Sequence, residues 1–477
     1  MILDCDKMHD ECGVFGIYSR EDNVAKNTYW GLYALQHRGQ ESAGIAVTDG
    51  SWMDVSRGMG LVNEVFRHQL PDLPGQYIAI GHVRYSTTGS SSLINTQPLK
   101  VKYSGGYISL AHNGNLTNAS LLRSNLEEHG STFQTSIDSE VIVNLIARSR
   151  KATLEEKVLE SLSKIEGAYC LVVMTEEKLI GVRDPNGLRP LCIGKLSSGG
   201  YVISSESCAL DTVDAEFVRD VDPGEMIVID DHGLVSYKFG EKNREALCIF
   251  EYIYFARPDS VIDGQSVYQA RLEMGRQLAR ESGLTADIVI SVPDSGTTAA
   301  LGFSQQSGIP FAEGLIKNRY IGRTFIQPDQ KERDLSVKIK LNAVKSVVKG
   351  KSVIMVDDSI VRGTTSGKIV RMIKDAGATA VHMCVSSPPI MYPCYYGIDT
   401  AVRKELIASV KSVEEIRQFI DADSLHYLST EGLAKSVMKA KYQNMCYACF
   451  NSKYPGSKPC EESCENGKYV FEQGAPR

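Results

Sequence analysis

Residues 351–370 read KSVIMVDDSIVRGTTSGKIV. Val353–Val356 is a short apolar run suited to a parallel strand buried on both faces. Asp357 and Asp358 follow at its C-terminal end, where open α/β sheets hold their ligands. Ser359–Thr365 then leads into a helix, so its backbone N–H groups and dipole can hold a phosphate. Gly363 allows close backbone approach, and Thr364, Thr365 and Ser366 add hydroxyls. Two carboxylates beside an anion cradle would repel phosphate unless they face a vicinal diol or a Mg²⁺ ion.

Outward from that stretch, helical and strand patterns alternate from about Tyr268, including ADIVISVPD (286–294) and TAVHMCVSSPP (379–389). This alternation predicts an α/β unit with a parallel sheet. A second strand–turn–helix, IVISVPDSGTTAALGF (288–303), ends its strand at Pro293-Asp294-Ser295-Gly296. Residues 317–340, between the two loops, hold seven Lys/Arg against three Asp/Glu and read as a basic lid over a polyanion. The chain from about Val410 reads as helical, then Cys- and Gly-rich.

Together the two loops resemble the type I phosphoribosyltransferases. The resemblance implies that Asp357 and Asp358 contact ribose hydroxyls and metal, and that Ser359, Val361, Arg362, Gly363, Thr364 and Thr365 hold the 5′-phosphate of phosphoribosylpyrophosphate (PRPP). Asp294, Ser295 and Gly296 fall at its pyrophosphate position. It further implies one Mg²⁺ per subunit, at Ser295, Asp357 and Asp358.

The first half has a different texture: short β-branched strands cut by Gly-rich turns, with helices around Asn27–His37, Ala119–His129, Ile137–Lys151 and Leu154–Lys164. Strands in runs with few helices predict an α+β layered sandwich. Cys12 opens one strand, behind an acidic leader. QHRGQESAG (Gln36–Gly44), GHVRYSTTG (Gly81–Gly89), HNGNLTN (His112–Asn118) and TSIDSE (Thr135–Glu140) follow. These segments resemble the class II glutamine amidotransferases, whose fold is an N-terminal-nucleophile αββα sandwich.

The chemistry explains why position matters. A thiol attacking an amide needs a base in reach, and a free α-amino group, with a pKa of about 7.7–8.0, can serve its own side chain. Cys12 gains that group only when the peptide bond after Glu11 is cut, so residues 1–11 are expected to be a propeptide. A guanidinium fork suits the α-carboxylate of glutamine, and a carboxylate suits its ammonium. The resemblance gives these roles to Arg84 and Asp138, and the oxyanion to Asn113 and Gly114. His37, His82 and His112 read as structural.

The expected units are 1–11 (propeptide), 12–245 (glutaminase), 260–440 (phosphoribosyltransferase) and 441–477 (Cys-rich tail), with the junction in roughly 240–265. The whole chain resembles the glutamine PRPP amidotransferases, which implies transfer of glutamine nitrogen to PRPP, giving 5-phosphoribosylamine at the entry to purine synthesis. It also implies feedback by AMP, GMP, ADP or GDP, and a homotetramer or homodimer. A PRPP-sensing regulator on the same fold is the alternative.

The chain has 477 residues and twelve cysteines. CIFEYIYFARPDS at Cys248, PPIMYPCYYGID at Cys394 and the CYAC pair Cys446 and Cys449 resemble the branch of this family that carries a 4Fe-4S cluster. By spacing alone, Cys446 and Cys449 with Cys460 and Cys464 could hold zinc. Cys170, Cys192, Cys208 and Cys384 read as core residues, and Cys5 would leave with the leader. With 52 basic and 58 acidic residues the charge is −6, which argues against a general nucleic-acid binder. No apolar run approaches the 18 or so residues that cross a bilayer, and MILDCDKMHDEC lacks a secretory core, so a cytoplasmic protein with no membrane partner is expected.

Overall fold

The computed structural model describes residues 12–68, 70–86, 89–240, 245–318, 341–398, 403–438, 444–458 and 471. The propeptide, nearly all of the basic lid, Cys5, Cys460 and Cys464 lie outside the described residues.

The first half is the expected sandwich. Gly13–Tyr18 (GVFGIY) lies near the centre of a seven-stranded sheet, antiparallel to both Ile78–Arg84 and Tyr201–Ser204. Its side chains alternate between two cores, as strand pleating dictates. Val14 joins Ile78, Ile80, Cys170 and Val172 between the sheets. Phe15 and Ile17 face the other way, onto Leu32 of helix Val24–Ala34. The second sheet has six strands, with Gly106–Leu116 next to Gly167–Met174. Its outer face packs on helices Ser139–Arg148 and Leu154–Leu162 through Ile142, Ile146 and Val158. Two antiparallel sheets between helices make an αββα sandwich.

The second half contains a parallel sheet of four strands in the order Ile288–Ser291, Ser352–Asp357, Ala380–Val385, Ser424–Tyr427. Both faces are covered, as parallel sheets require. Val289, Ile354, Val356 and Cys384 pack toward helices Val267–Ser282 and Thr297–Ser307. Ile290, Val353, Met355 and Met383 pack toward helix Thr364–Asp375.

Two sequence expectations need correction. The first helix runs Val24–Ala34 rather than 27–37, because the Asn23 side chain caps it by accepting the Lys26 N–H at 2.9 Å. The stretch after Val410 is not simply helical: Ser424–Tyr427 is the edge strand of the parallel sheet.

The junction is tied to the tail. Leu247–Cys248 pairs in parallel with Met445–Cys446. Beyond it, Phe250 and Phe255 pack with Val267 and Ala270 of the second half and with Phe450 of the tail.

Candidate functional site

In the sandwich, Cys12 immediately precedes Gly13–Tyr18, and the antiparallel register Gly13↔Val83 brings the end of strand Ile78–Arg84 beside it. Cys12, Arg84, Gly114 and Asp138 line one cleft. The Cys12 thiol is buried and lies 3.4 Å from the Tyr85 carbonyl oxygen. Arg84 is buried as well, donating to the carbonyls of Ser90 (3.1 Å) and Gly89 (3.3 Å). The Asp138 carboxylate, at the start of helix Ser139–Arg148, accepts the Leu116 N–H at 2.9 Å. Burial alone would raise its pKa; His112, the Leu116 N–H and Ser139 outweigh burial and hold it below the ordinary carboxylate value.

Asn113 and Gly114 sit in strand Gly106–Leu116, opposite Cys170 and Tyr169. The Asn113 amide is fully buried, and neither its nitrogen nor its oxygen has a hydrogen-bond partner among the described residues. An unsatisfied buried polar group costs about 1–3 kcal/mol, so it calls for a reason to persist. Gly114 has φ +145°, and a Cβ there would stand 2.0 Å from the Ala168 carbonyl oxygen. Only glycine fits.

Tyr85, Gln97, His112 and Ser139 also line this cleft. His112 read as structural in sequence, yet its Nδ1 lies 3.0 Å from Ser139 Oγ and 3.6 Å from Asp138 Oδ1. Pleating turns its side chain to the face opposite Asn113, toward helix Ser139–Arg148, so its place next to Asn113 in sequence does not locate it. Of the other two histidines read as structural, His37 contacts Glu206 at 2.8 Å, and His82 Nε2 donates to the His112 carbonyl at 3.0 Å.

In the second half, Ile288–Ser291 and Ser352–Asp357 are parallel neighbours with Ser291 opposite Val356. Their loops therefore emerge side by side at the C-terminal edge of the sheet. Asp294, Ser295 and Gly296 form the turn before helix Thr297–Ser307. A Cβ on Gly296 would meet the Val356 carbonyl oxygen at 2.4 Å. Asp357, Asp358 and Ser359 are buried; the Asp358 N–H donates to Asp357 Oδ1 (2.9 Å) and Ser359 Oγ to Asp358 Oδ2 (2.6 Å). The Val361 side chain is buried and its carbonyl accepts the Ile407 N–H, so it faces away from a ligand except through its own backbone. Arg362 pairs with Glu405. Gly363, at φ +78°, caps helix Thr364–Asp375 and brings no side-chain acceptor to its first turn. Thr364 and Thr365 open that helix. Lys317, the first residue of the basic segment, reaches Asp294 at 3.0 Å.

The chemistry of both donor sets fits the expected groups. Asp357 and Asp358 offer hard oxygen ligands beside a phosphate cradle, the arrangement in which Mg²⁺ is held by one or two carboxylates plus substrate oxygens. No three His, Cys, Asp or Glu side chains close on a single ion among the described residues. Cys248 stands in register with Cys446 across the two-stranded pair. The Cys394 sulfur accepts the Tyr396 N–H at 3.3 Å. Burial pushes the Cys449 thiol up, and Cys248, Cys446 and Cys394 add to the rise as near neighbours. Cys248, Cys394 and Cys449, from three segments, thus share one core at the junction. Cys thiolates are the donor type that an iron–sulfur cluster would take.

Comparison with known proteins follows these lines. Residues 82–212 match the glutamine amidotransferase domain family, and residues 262–416 the phosphoribosyl transferase domain family. The amidophosphoribosyltransferase of Archaeoglobus fulgidus is 54% identical over 461 residues, covering 95% of this chain and 100% of that protein. That of Bacillus subtilis is 52% identical over 461 residues, covering 95% of this chain and 96% of its own.

The chain belongs to the amidophosphoribosyltransferases.

A solved structure of the B. subtilis glutamine PRPP amidotransferase, complexed with ADP and GMP, superposes with a TM-score of 0.88 at 51% identity, over 94% of this chain and 98% of that one. In the amidophosphoribosyltransferase fold the second half packs against the strand that carries Asn113 and Gly114. Asn115, two residues after Asn113, donates to the Tyr395 carbonyl at 3.0 Å. A Cβ on Gly397 would stand 3.2 Å from the Gly114 carbonyl carbon. The segment carrying Cys394 therefore rests on the strand that carries the proposed oxyanion donors. No helix among the described residues is long and apolar enough to cross a membrane.

Proposed function

We propose that the Cys12 cleft is the glutaminase centre of this amidophosphoribosyltransferase and the paired loops its PRPP centre. The overall reaction takes glutamine, water and PRPP to glutamate, 5-phosphoribosylamine and pyrophosphate, the first committed step of purine biosynthesis. The observation that carries the assignment is the meeting of Cys12, Arg84, Gly114 and Asp138 on one cleft, beside a buried Asn113 amide with no partner among the described residues.

Glutamine enters with its α-carboxylate toward Arg84 and its ammonium toward Asp138. Cutting the bond between Glu11 and Cys12 leaves a free α-amino group, neutral in useful proportion near pH 7, which takes the thiol proton. The thiolate attacks the side-chain amide carbon. The Asn113 amide and the Gly114 N–H receive the developing oxyanion, preorganised donors that need not reorient during reaction. Ammonia departs with the proton, and water hydrolyses the thioester to glutamate.

At the second centre the 5′-phosphate sits on the N-terminus of helix Thr364–Asp375, between the turn from Ser359 and the hydroxyls of Thr364 and Thr365. Asp357 and Asp358 face the ribose hydroxyls. Mg²⁺, when bound at Asp357, Asp358 and Ser295, supplies positive charge opposite the pyrophosphate. Asp294, Ser295 and Gly296 orient that leaving group while ammonia attacks C1. A PRPP sensor without catalysis would leave the Cys12 cleft unexplained.

The four junction thiols, Cys248, Cys394, Cys446 and Cys449, would hold a 4Fe-4S cluster, whose role is to pin the tail to the junction. The ADP and GMP of the B. subtilis structure support feedback by purine nucleotides. A cytoplasmic setting suits the nine cysteines among the described residues, none of which is in a disulfide.

The deciding experiment measures glutamate and pyrophosphate together with both substrates present, alongside the intact mass of the purified protein. The expected result is coupled release and a chain beginning at Cys12. A chain still beginning at Met1 that hydrolyses glutamine at full rate refutes the nucleophile assignment. Iron, sulfide and zinc analysis of anaerobically purified protein tests the cluster, and zinc without iron refutes it.

A further inference from the structure

The junction between the halves buries a compact ionic group. Arg38 follows helix Val24–Ala34, and its guanidinium is completely inaccessible to solvent. Its Nε donates to the main-chain carbonyl of Cys12 at 3.2 Å. Its Nη1 donates to Glu206 Oε1 (2.7 Å) and Glu251 Oε2 (2.9 Å), and its Nη2 to Glu251 Oε1 (2.8 Å). Glu206 and Glu251 are equally buried. Arg189, 3.8 Å from Glu251, and His37, 2.8 Å from Glu206, also belong to the group.

The two carboxylates come from different places. Glu206 belongs to the sandwich, just before helix Ser207–Thr212, and also accepts the Arg257 N–H and the Ser260 hydroxyl. Glu251 opens the turn Glu251–Phe255, three residues after Cys248. It therefore reaches into the glutaminase half from the junction.

A guanidinium is planar and rigid, so fixing both Nη atoms on one carboxylate fixes where Nε points. Here Nε points at residue 12. Once the leader is gone, Cys12 has no preceding residue to anchor it, and its amine and thiol must keep a set relation to an incoming amide. Polar tethers on its own peptide unit then matter for geometry.

We propose that Glu251 is a positioning residue for the glutaminase nucleophile, acting through Arg38 on the main chain of Cys12. This rests on the reading of Cys12 as nucleophile. It means that the glutaminase centre depends on an acid from the junction.

The test uses the full chain with its cofactors and two nitrogen sources. Ammonia added from solution bypasses Cys12, so it reports on the PRPP centre alone. Glu251→Gln keeps the shape and removes the charge. Glu251→Asp keeps the charge and draws the carboxylate back from the fork, and remains available if the unbalanced buried charge of the first variant prevents folding. Both are expected to lower the kcat of glutamine-dependent synthesis by about 10–100-fold, the scale of a small misplacement of reacting groups. KM for glutamine and the ammonia-dependent rate are expected to stay at wild-type values. A merely structural residue would lower both activities together. Parallel loss, or no loss in the glutamine assay, overturns the proposal. Cys12→Ala is the control: if it still uses glutamine, the nucleophile reading has failed; if it uses only ammonia, a negative result with Glu251 refutes the positioning role alone.

Discussion

Gly296 packs directly on Asp357: a Cβ at Gly296 would stand 3.2 Å from the Asp357 Cα and 2.4 Å from the Val356 carbonyl oxygen. The proposed pyrophosphate turn and the acidic pair are thus one rigid unit rather than two independent loops. Both obstructing atoms are backbone, at the end of an interior strand of the parallel sheet, and cannot swing aside. Gly296→Ala is therefore expected to push the turn away from Asp357 and raise KM for PRPP by about tenfold, roughly 1.4 kcal/mol. The rise should be the same with glutamine or ammonia as nitrogen source. Steady-state kinetics with both donors checks this, and an effect confined to glutamine would contradict the assignment of the loop.

The buried Asn113 amide yields a second prediction. Asn113→Ala removes the proposed oxyanion donor together with an unsatisfied polar group. Glutaminase kcat should fall about 10²–10³-fold, the usual loss for one such donor. Stability should hold or improve, since no hydrogen bond to a described residue is lost. Thermal unfolding and glutamate release measured on the same preparation separate the two effects. A variant that loses stability along with activity would indicate a structural amide.

Arg84 and Asp138 should fail differently from Asn113. Each is proposed to hold an end of glutamine that does not react, so Arg84→Gln and Asp138→Asn should act first on glutamine KM. A loss of about 2–3 kcal/mol, the scale of a charged hydrogen bond, corresponds to roughly 30–150-fold. Asp138→Asn should also spare ammonia-dependent synthesis. Initial rates over a range of glutamine concentrations test this; an unchanged KM in either variant would remove that residue from the binding set.

These sites were unequally legible in the sequence. The acidic pair and its cradle occupy consecutive residues, so a strand ending in Asp357-Asp358 and a helix opening at Thr364 could be read locally. Cys12, Arg84, Asn113 and Asp138 are dispersed over more than a hundred residues, and resemblance alone linked them; the register Gly13↔Val83, the stacking of the two sheets and the Leu116 N–H on Asp138 are what assemble them. That His112 lines the cleft was not legible, because a histidine in a strand looks the same whether it faces core or cleft. Ser424–Tyr427 was missed because four residues between helices carry too little periodicity. The Arg38–Glu251 contact spans 213 positions, and nothing local to either residue marks it.

The last prediction concerns His82, whose ring is fully buried with Nδ1 unpartnered among the described residues and Nε2–H on the His112 carbonyl. Burial depresses its pKa from 6.5 to about 3; Arg84 and His112 push the same way, and the carbonyl bond opposes them. The folded protein therefore keeps His82 neutral where the unfolded chain takes up a proton. Stability from this residue is complete above pH 6.5 and is lost progressively as pH falls toward 3, by about 1.4 kcal/mol per unit. Between pH 6.5 and 5 that amounts to about 2 kcal/mol. His82→Gln retains an N–H donor for the carbonyl but cannot titrate, so its unfolding midpoint should vary less steeply over this interval. Urea unfolding at a series of pH values, followed in the glutaminase half, measures the two slopes. Identical slopes would mean that His82 is already protonated in the fold or reaches water before unfolding.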